Sequence, residues 1–195
     1  MKKFFSQRSW FFMLPVFLLL AGSAPAAQFS ALMMIKDGDR LVSGKIYVQD
    51  ALMRQEFTDA EGQTVTIVRP DQKVIWFIMP LERAYVEMPL KKLPGQFIQI
   101  PKEALTKRLV GKETVNGYEA EKYEVSVRGG GGLEKQTIWV ATKLGTPVKL
   151  IAKERNFSVE YKSIKEGAQA ERLFNLPPGY KKLVSPDLLP SWKGY

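Results

Sequence analysis

The chain has 195 residues, with 29 Lys and Arg against 20 Asp and Glu, a formal net charge of +9. It contains neither cysteine nor histidine, which excludes thiol nucleophiles, disulfides, imidazole acid–base chemistry and the usual zinc, copper and haem sites. A metal site would have to be built from carboxylates and carbonyls, as calcium and magnesium sites are; no EF-hand-like spacing of Asp is present, and the reading is of a chain without metal or cofactor.

Residues 1–26 read as a cleaved secretory signal. Lys2, Lys3 and Arg8 stand without an acid, an apolar run follows over 10–20, and Ala24-Pro25-Ala26 places small residues where a signal peptidase reads them. The run is shorter than the roughly 20 residues a membrane-spanning helix needs, and Ser23 stands where a lipoprotein would carry cysteine. Removing this segment takes three basic side chains and leaves a net charge of +6. That excess favours contact with anionic membrane surfaces, and no cluster of Lys and Arg makes a nucleic-acid patch. The remaining length suits one domain, over 27–180, that needs no disulfide, followed by a Pro-rich tail over 181–195.

From Phe29 onward the dominant period is two. Runs rich in Val, Ile, Thr, Tyr, Phe and Trp predict strands over 29–35, 44–49, 52–58, 64–69, 73–79, 83–88, 118–127, 136–142, 147–153 and 157–164. Asp37-Gly38, Glu61-Gly62, Asn116-Gly117 and Leu144-Gly145 suit the positive-φ positions of tight turns, and Pro70-Asp71 presets a type I turn. Short turns between successive strands imply antiparallel pairing, so the expected fold is a mainly β, curved, unclosed antiparallel half-barrel of about ten strands. Helix is predicted only over 102–109 and 168–174, enough for a partial lid. Residues 91–109 interrupt the strand rhythm and are expected to pack across one face of the sheet. Beyond Asn175 the prolines are expected to end the ladder.

Within 73–79 both alternating sets are apolar, Val74, Trp76 and Ile78 on one side and Ile75, Phe77 and Met79 on the other, so this strand predicts cover on both faces. The five methionines beyond the signal, Met33, Met34, Met53, Met79 and Met88, all precede residue 90. Their flexible, polarisable side chains suit either an adaptable apolar site or ordinary core filling. Catalytic signals are weak. The four glycines at 129–132 lack the Lys-Ser/Thr and the helix of a phosphate loop, and Glu119 and Glu121 read as a solvated strand. A hydrolase built on Ser43 or Ser126 with a lysine would have no sequence motif to support it. No catalytic residue is predicted.

The stretch from Phe29 to Pro89 resembles the LolA-like superfamily of periplasmic carriers that sort lipoproteins to the outer membrane. The matching residues are Ser43-Gly44-Lys45-Ile46-Tyr47-Val48, then Met53-Arg54, then Asp71-Gln72-Lys73-Val74-Ile75-Trp76-Phe77-Ile78-Met79-Pro80. The second half resembles a DUF4412-like branch of that superfamily. It does so in Gly117-Tyr118-Glu119-Ala120-Glu121-Lys122-Tyr123, Thr137-Ile138-Trp139-Val140, Pro147-Val148-Lys149-Leu150 and the ending Leu173-Phe174-Asn175-Leu176-Pro177-Pro178-Gly179-Tyr180. The chain departs from the family in lacking the long helix before the first strand and in carrying Gln72 for a turn glycine and Met53 for the aromatic before Arg54.

The resemblance implies an unclosed barrel whose apolar cavity holds acyl chains of a lipid or lipoprotein during transport through the periplasm, with inner- or outer-membrane donor and acceptor proteins as further partners. It assigns Ile46, Val48, Ile67, Trp76, Ile78, Ile138, Val140 and Leu150 to the cavity and Arg54 to a contact between lid and sheet. The alternative that shares the fold is a periplasmic sensor or adaptor that binds a protein partner.

Overall fold

The computed structural model describes residues 27–60, 62–91, 100, 104–129 and 132–184; the segment read as a signal lies outside them. Twelve strands form one sheet in the order β12-β6-β5-β4-β3-β2-β1-β11-β10-β9-β8-β7. The first antiparallel meander comprises β1 (Gln28–Asp37), β2 (Arg40–Gln49), β3 (Leu52–Asp59), β4 (Gly62–Arg69), β5 (Val74–Met79) and β6 (Ala84–Pro89). The second comprises β7 (Thr106–Val115), β8 (Tyr118–Gly129), β9 (Gly132–Ala141), β10 (Thr146–Ala152) and β11 (Phe157–Glu166). β1 pairs with β11 from Phe29↔Glu166 to Asp37↔Phe157, a seam that joins the two meanders in the middle of the sheet. The short β12 (Lys181–Leu183) adds to the β6 edge in parallel.

Turn chemistry behaves as the sequence predicts. Gly38 at φ 60°, Asn116 at φ 50° with Gly117 at φ 85°, and Gly145 at φ 62° occupy left-handed positions that glycine or asparagine takes at little cost. The turn after Arg69 is held by amides of Gln72 and Lys73 donating to the carbonyls of Arg69 and Pro70, both at 3.2 Å.

The register shifts within β1/β11, β9/β10 and β7/β8. Bulges of this kind increase local twist and bend the strand. The connection from β6 to β7 is the longest in the sheet. These strands lie ten strand spacings apart, about 48 Å along the sheet at the usual separation, and residues 90–105 must join them. Two described residues of that connection, Ile100 and Ala104, pack against the buried cluster of one face; most of the segment expected to cross that face lies outside the described residues.

Antiparallel register fixes which residues share that face. Phe29, Ala31 and Met33 in β1 oppose Val48, Ile46 and Gly44 in β2, and the same face continues through Gln55, Val68 and Phe77 to Val86. Across the seam it continues through Tyr161 and Val159 to Leu150, Ile138 and Tyr123. These side chains, from both meanders, form one cluster with most members buried, which marks it as the concave face. The opposite, convex face carries a second cluster centred on β4 and β5, where Val65, Ile67, Trp76 and Ile78 pack with Phe174.

Four expectations are corrected. The sheet has twelve strands, not about ten. Thr106–Leu109, expected to be helical, is the start of β7, an edge strand exposed at nine of its ten positions; it carries no apolar alternation because it buries neither face. Lys181–Leu183 continues the ladder despite the preceding prolines, because an outer edge needs only a few main-chain partners and none of the prolines falls within the strand. The helical lid is also absent among the described residues, where the only helical turns are 3-10 turns at Lys153–Arg155 and Glu171–Phe174. The second of these falls within the helix expected over 168–174.

Candidate ligand-binding face

The concave face carries four of the five methionines. Met33 is buried, and Met53, Met79 and Met88 are half-buried against the same cluster. Their positions follow from pairing: Met53 stands opposite Val48 and Val68, Met88 opposite Ile75, and Met79 opposite Ala84. Met34 faces the other way, opposite Ser43 and Glu160. Two polar side chains interrupt this apolar wall. Gln55 and Thr66 oppose each other across β3 and β4, both buried, and the Gln55 amide Nε2 donates to Met33 Sδ at 3.2 Å.

The eight apolar positions expected to line a single cavity divide between the two faces. Ile46, Val48, Ile138 and Leu150 belong to the concave cluster, with Val140 half-buried against it. Ile67, Trp76 and Ile78 do not join them; they form the convex cluster around Phe174. On a strand apolar on both sides, periodicity predicts that both are covered but not which is inside. The concave set of β5 is Ile75, Phe77 and Met79.

The convex cluster is covered by the chain after β11. Phe174 is fully buried there, with Leu173, Leu176 and Tyr180 packed around it. Two arginines fasten this strap. Arg54 Nη1 donates to the Leu173 carbonyl at 2.9 Å while its Nε donates to Glu56 Oε1 at 2.7 Å. Arg69 Nη1 donates to the Phe174 carbonyl and to Asn175 Oδ1, both at 2.8 Å. Its Nε and Nη2 hold Asp71 as a fork, at 2.9 and 2.7 Å. The hydrogen bond to Asp71 raises the Arg69 pKa and lowers that of Asp71. Arg69 also lies 5.8 Å from the Trp76 ring centroid, a cation–π distance. Trp76 Nε1 donates to Glu87 at 3.0 Å, and Lys182 of β12 bonds the same carboxylate at 2.7 Å. These two bonds, Lys182 first, lower the Glu87 pKa.

The resemblance singles out Arg54 as a lid contact, whereas here its partner belongs to the convex strap; Arg69, Phe174 and Asn175 are not singled out as one unit. The available signal was an unpaired apolar set on β4 and β5 together with a later Leu-Phe-Asn-Leu segment that ends in Pro-Pro. Elsewhere on the convex face, a cleft of about 270 Å³ is lined by Leu32, Ser43, Gly44, Lys45, Glu56, Thr58 and Gln63. No group of three or more acidic side chains able to hold a metal occurs among the described residues. No helix among them is long and apolar enough to cross a membrane.

The sequence profile of DUF4412, a domain of unknown function, matches residues 31–146, from β1 to the start of β10. The chain belongs to the DUF4412 family. An uncharacterised conserved protein from Thermus thermophilus, known from its crystal structure, shares the DUF4412 fold seen here. The TM-score is 0.59 at 14% identity, over 82% of this chain and 91% of that one. A LolA superfamily protein from Nitrosomonas europaea aligns over 77% of this chain and 91% of its own, with 13% identity and a TM-score of 0.39. The Mycobacterium tuberculosis lipoprotein LppX aligns over 74% and 90%, with 10% identity and a TM-score of 0.44. None of the curated proteins matches the DUF4412 chain.

Proposed function

We propose that this DUF4412 protein binds the acyl chains of a lipid or lipoprotein on its concave face and carries them through the periplasm toward the outer membrane. The observation that carries the reading is the concave wall, built from both meanders, with Met53, Met79 and Met88 half-buried on it. Flexible thioethers can re-pack around a chain of variable shape. The energetics suffice without catalytic residues. At about 0.8 kcal/mol per methylene removed from water, a chain of some fourteen methylenes supplies roughly 11 kcal/mol gross, which a pre-formed apolar wall converts to a moderate net affinity once the cost of association is subtracted. Release therefore needs only a modest competing interaction. Arg54 is the proposed contact between the cover and the sheet, which its bond to the Leu173 carbonyl supports.

The test is native mass spectrometry of protein purified without detergent, followed by titration with a fluorescent fatty acid. Bound lipid or saturable uptake is expected. Protein that carries no lipid and takes up none refutes the reading.

A second reading, an adaptor or sensor that docks a protein partner, is favoured by β7. This ten-residue strand ends the sheet order and is exposed almost throughout, which suits addition of a partner strand. Crosslinking in cells separates the two, since an adaptor traps one stoichiometric protein and a carrier traps lipid or membrane components.

A further inference from the structure

Alternation of strand direction assigns every turn to one end of the sheet or the other. The end where β1 terminates also holds the turns after β3, β5 and β10, the tip between β8 and β9, and the start of β7. Four large apolar side chains are exposed there: Leu41 at 66%, Leu81 at 72%, Leu105 at 56% and Leu133 at 63%. The turns of the opposite end, after β2, β4, β7 and β9, hold none among the described residues, and their one leucine, Leu144, is buried. The other exposed large apolar residues, Leu32, Leu109 and Val110, lie within strands, and Val184 follows β12.

Each of the four leucines has a basic side chain within two residues of it in the chain. Arg40 precedes Leu41, Arg83 follows Leu81 by two residues, and Lys107 follows Leu105 by two. Leu133 is paired across β8 and β9 with Arg128 and lies two residues before Lys135. Leu105 joins the same group, because its amide donates to the Ser126 carbonyl at 2.9 Å and Ser126 is paired with Lys135. This end also carries Asp37, Asp39, Asp59, Glu82 and Glu154, while Glu134 lies 3.6 Å from Arg155 and Glu124 lies 2.6 Å from Arg108, so its basic side chains are in moderate excess. Leu105 and Leu133 share the β7–β8–β9 tip, while Leu41 and Leu81 sit on the turns after β1 and β5. That arrangement suits a soft, continuous apolar medium with a negatively charged surface better than the shaped pocket of a protein partner.

We infer that this end of the sheet docks on an anionic lipid bilayer, with Leu105 and Leu133 entering the headgroup–acyl boundary and Arg128, Lys107 and Lys135 contacting lipid phosphates. Leu41 and Leu81 extend the contact around the rim. The surface is independent of whether the concave face holds an acyl chain.

The test is flotation of the processed protein with vesicles of phosphatidylethanolamine and phosphatidylglycerol, against vesicles of phosphatidylcholine. Binding to the anionic vesicles that weakens as salt rises is expected. Leu105→Ser with Leu133→Ser should lower the partition coefficient by about tenfold or more and leave fluorescent fatty-acid uptake unchanged. Absence of flotation at low salt, or flotation unaltered by the double substitution, overturns the inference.

The lack of native cysteine supplies a second readout that does not depend on weakening the surface. An environment-sensitive dye attached at Leu133→Cys should shift to the blue on anionic vesicles, and the same dye at Thr142→Cys, at the other end, should not. A shift at Thr142→Cys instead, or at neither position, refutes the orientation.

Discussion

Replacing Phe174 with alanine tests whether the strap is integral to the domain. Phe174 is fully buried among Val65, Ile67, Trp76 and Ile78, and removal of a buried phenylalanine ring costs about 3–5 kcal/mol. A domain of this size is stable by about 5–15 kcal/mol, so the variant should lose a substantial fraction of its stability. The loss has a ceiling. The strap lies outside the antiparallel ladder, and once its docking energy is gone it detaches, leaving the sheet to fold with its convex cluster exposed.

Two measurements follow from that picture. Urea unfolding of Phe174→Ala should show a lower midpoint. In a Trp139→Phe, Trp192→Phe background, Trp76, now 6% exposed, should become accessible to acrylamide. A stability change below about 1 kcal/mol with unaltered Trp76 quenching would refute the assignment of the strap as cover.

Arg69→Met removes the donor to the Phe174 carbonyl and to Asn175, and should destabilise by about 1–3 kcal/mol. In a double-mutant cycle with Asn175→Ala, the effects should be less than additive. Gly44→Ala places a methyl group 2.5 Å from the Glu56 carbonyl oxygen and 2.7 Å from the Phe57 ring, so thermal unfolding should show a loss of about 1–3 kcal/mol. Met53→Gln with Met88→Gln should reduce fatty-acid affinity at least severalfold while the fold, read by circular dichroism, is kept.

The pH dependence of stability has a defined shape. Asp71, Glu87, Glu113, Glu124 and Glu166 all have lowered pKa values, each chiefly through a hydrogen bond from an arginine or lysine. Their contribution is present above the ordinary carboxylate values of 3.8 and 4.5 and is lost as pH falls through the lowered ones. Tyr118 and Tyr123 are raised, by burial foremost for Tyr118 and by the Glu121 hydrogen bond foremost for Tyr123. Their contribution is present below the ordinary tyrosine value of 10.0 and is lost as pH rises through the raised ones. With no histidine in the chain, urea midpoints should be flat between about pH 6 and 8; a titration step in that window would contradict the assignment.

The period-two pattern was legible wherever a strand buries at least one face. β1, β4, β5 and β11 could be placed from their alternation, and Asn116-Gly117 and Pro70-Asp71 located two turns. β7 was illegible for a physical reason: Thr106 to Thr114 are all exposed, so main-chain pairing to β8 alone defines the strand. β12 was hidden because three residues pair with an outer edge without any apolar signature. The candidate site was half legible. The resemblance assigned Ile46, Val48, Ile138 and Leu150 to one cavity and they share one buried cluster, but on β5 alternation offered two equivalent sets, and only register with β4 and β6 places Ile75 and Phe77 inside. The tie between Arg69 and Phe174 spans 105 residues, beyond any local pattern.

The seam between β1 and β11 also sets the order in which the molecule can be completed. Phe29 is matched with Glu166, so the earliest strand to be synthesised waits for nearly the last before its second edge is satisfied. Pairings of such sequence separation are slow to form. The first meander can zip locally, yet it retains an open ladder edge on β1 until residues 157–166 arrive. A nascent chain is therefore held short of its closed form for most of its synthesis, and a fragment restricted to residues 31–146 would present β1 to any strand available in solution.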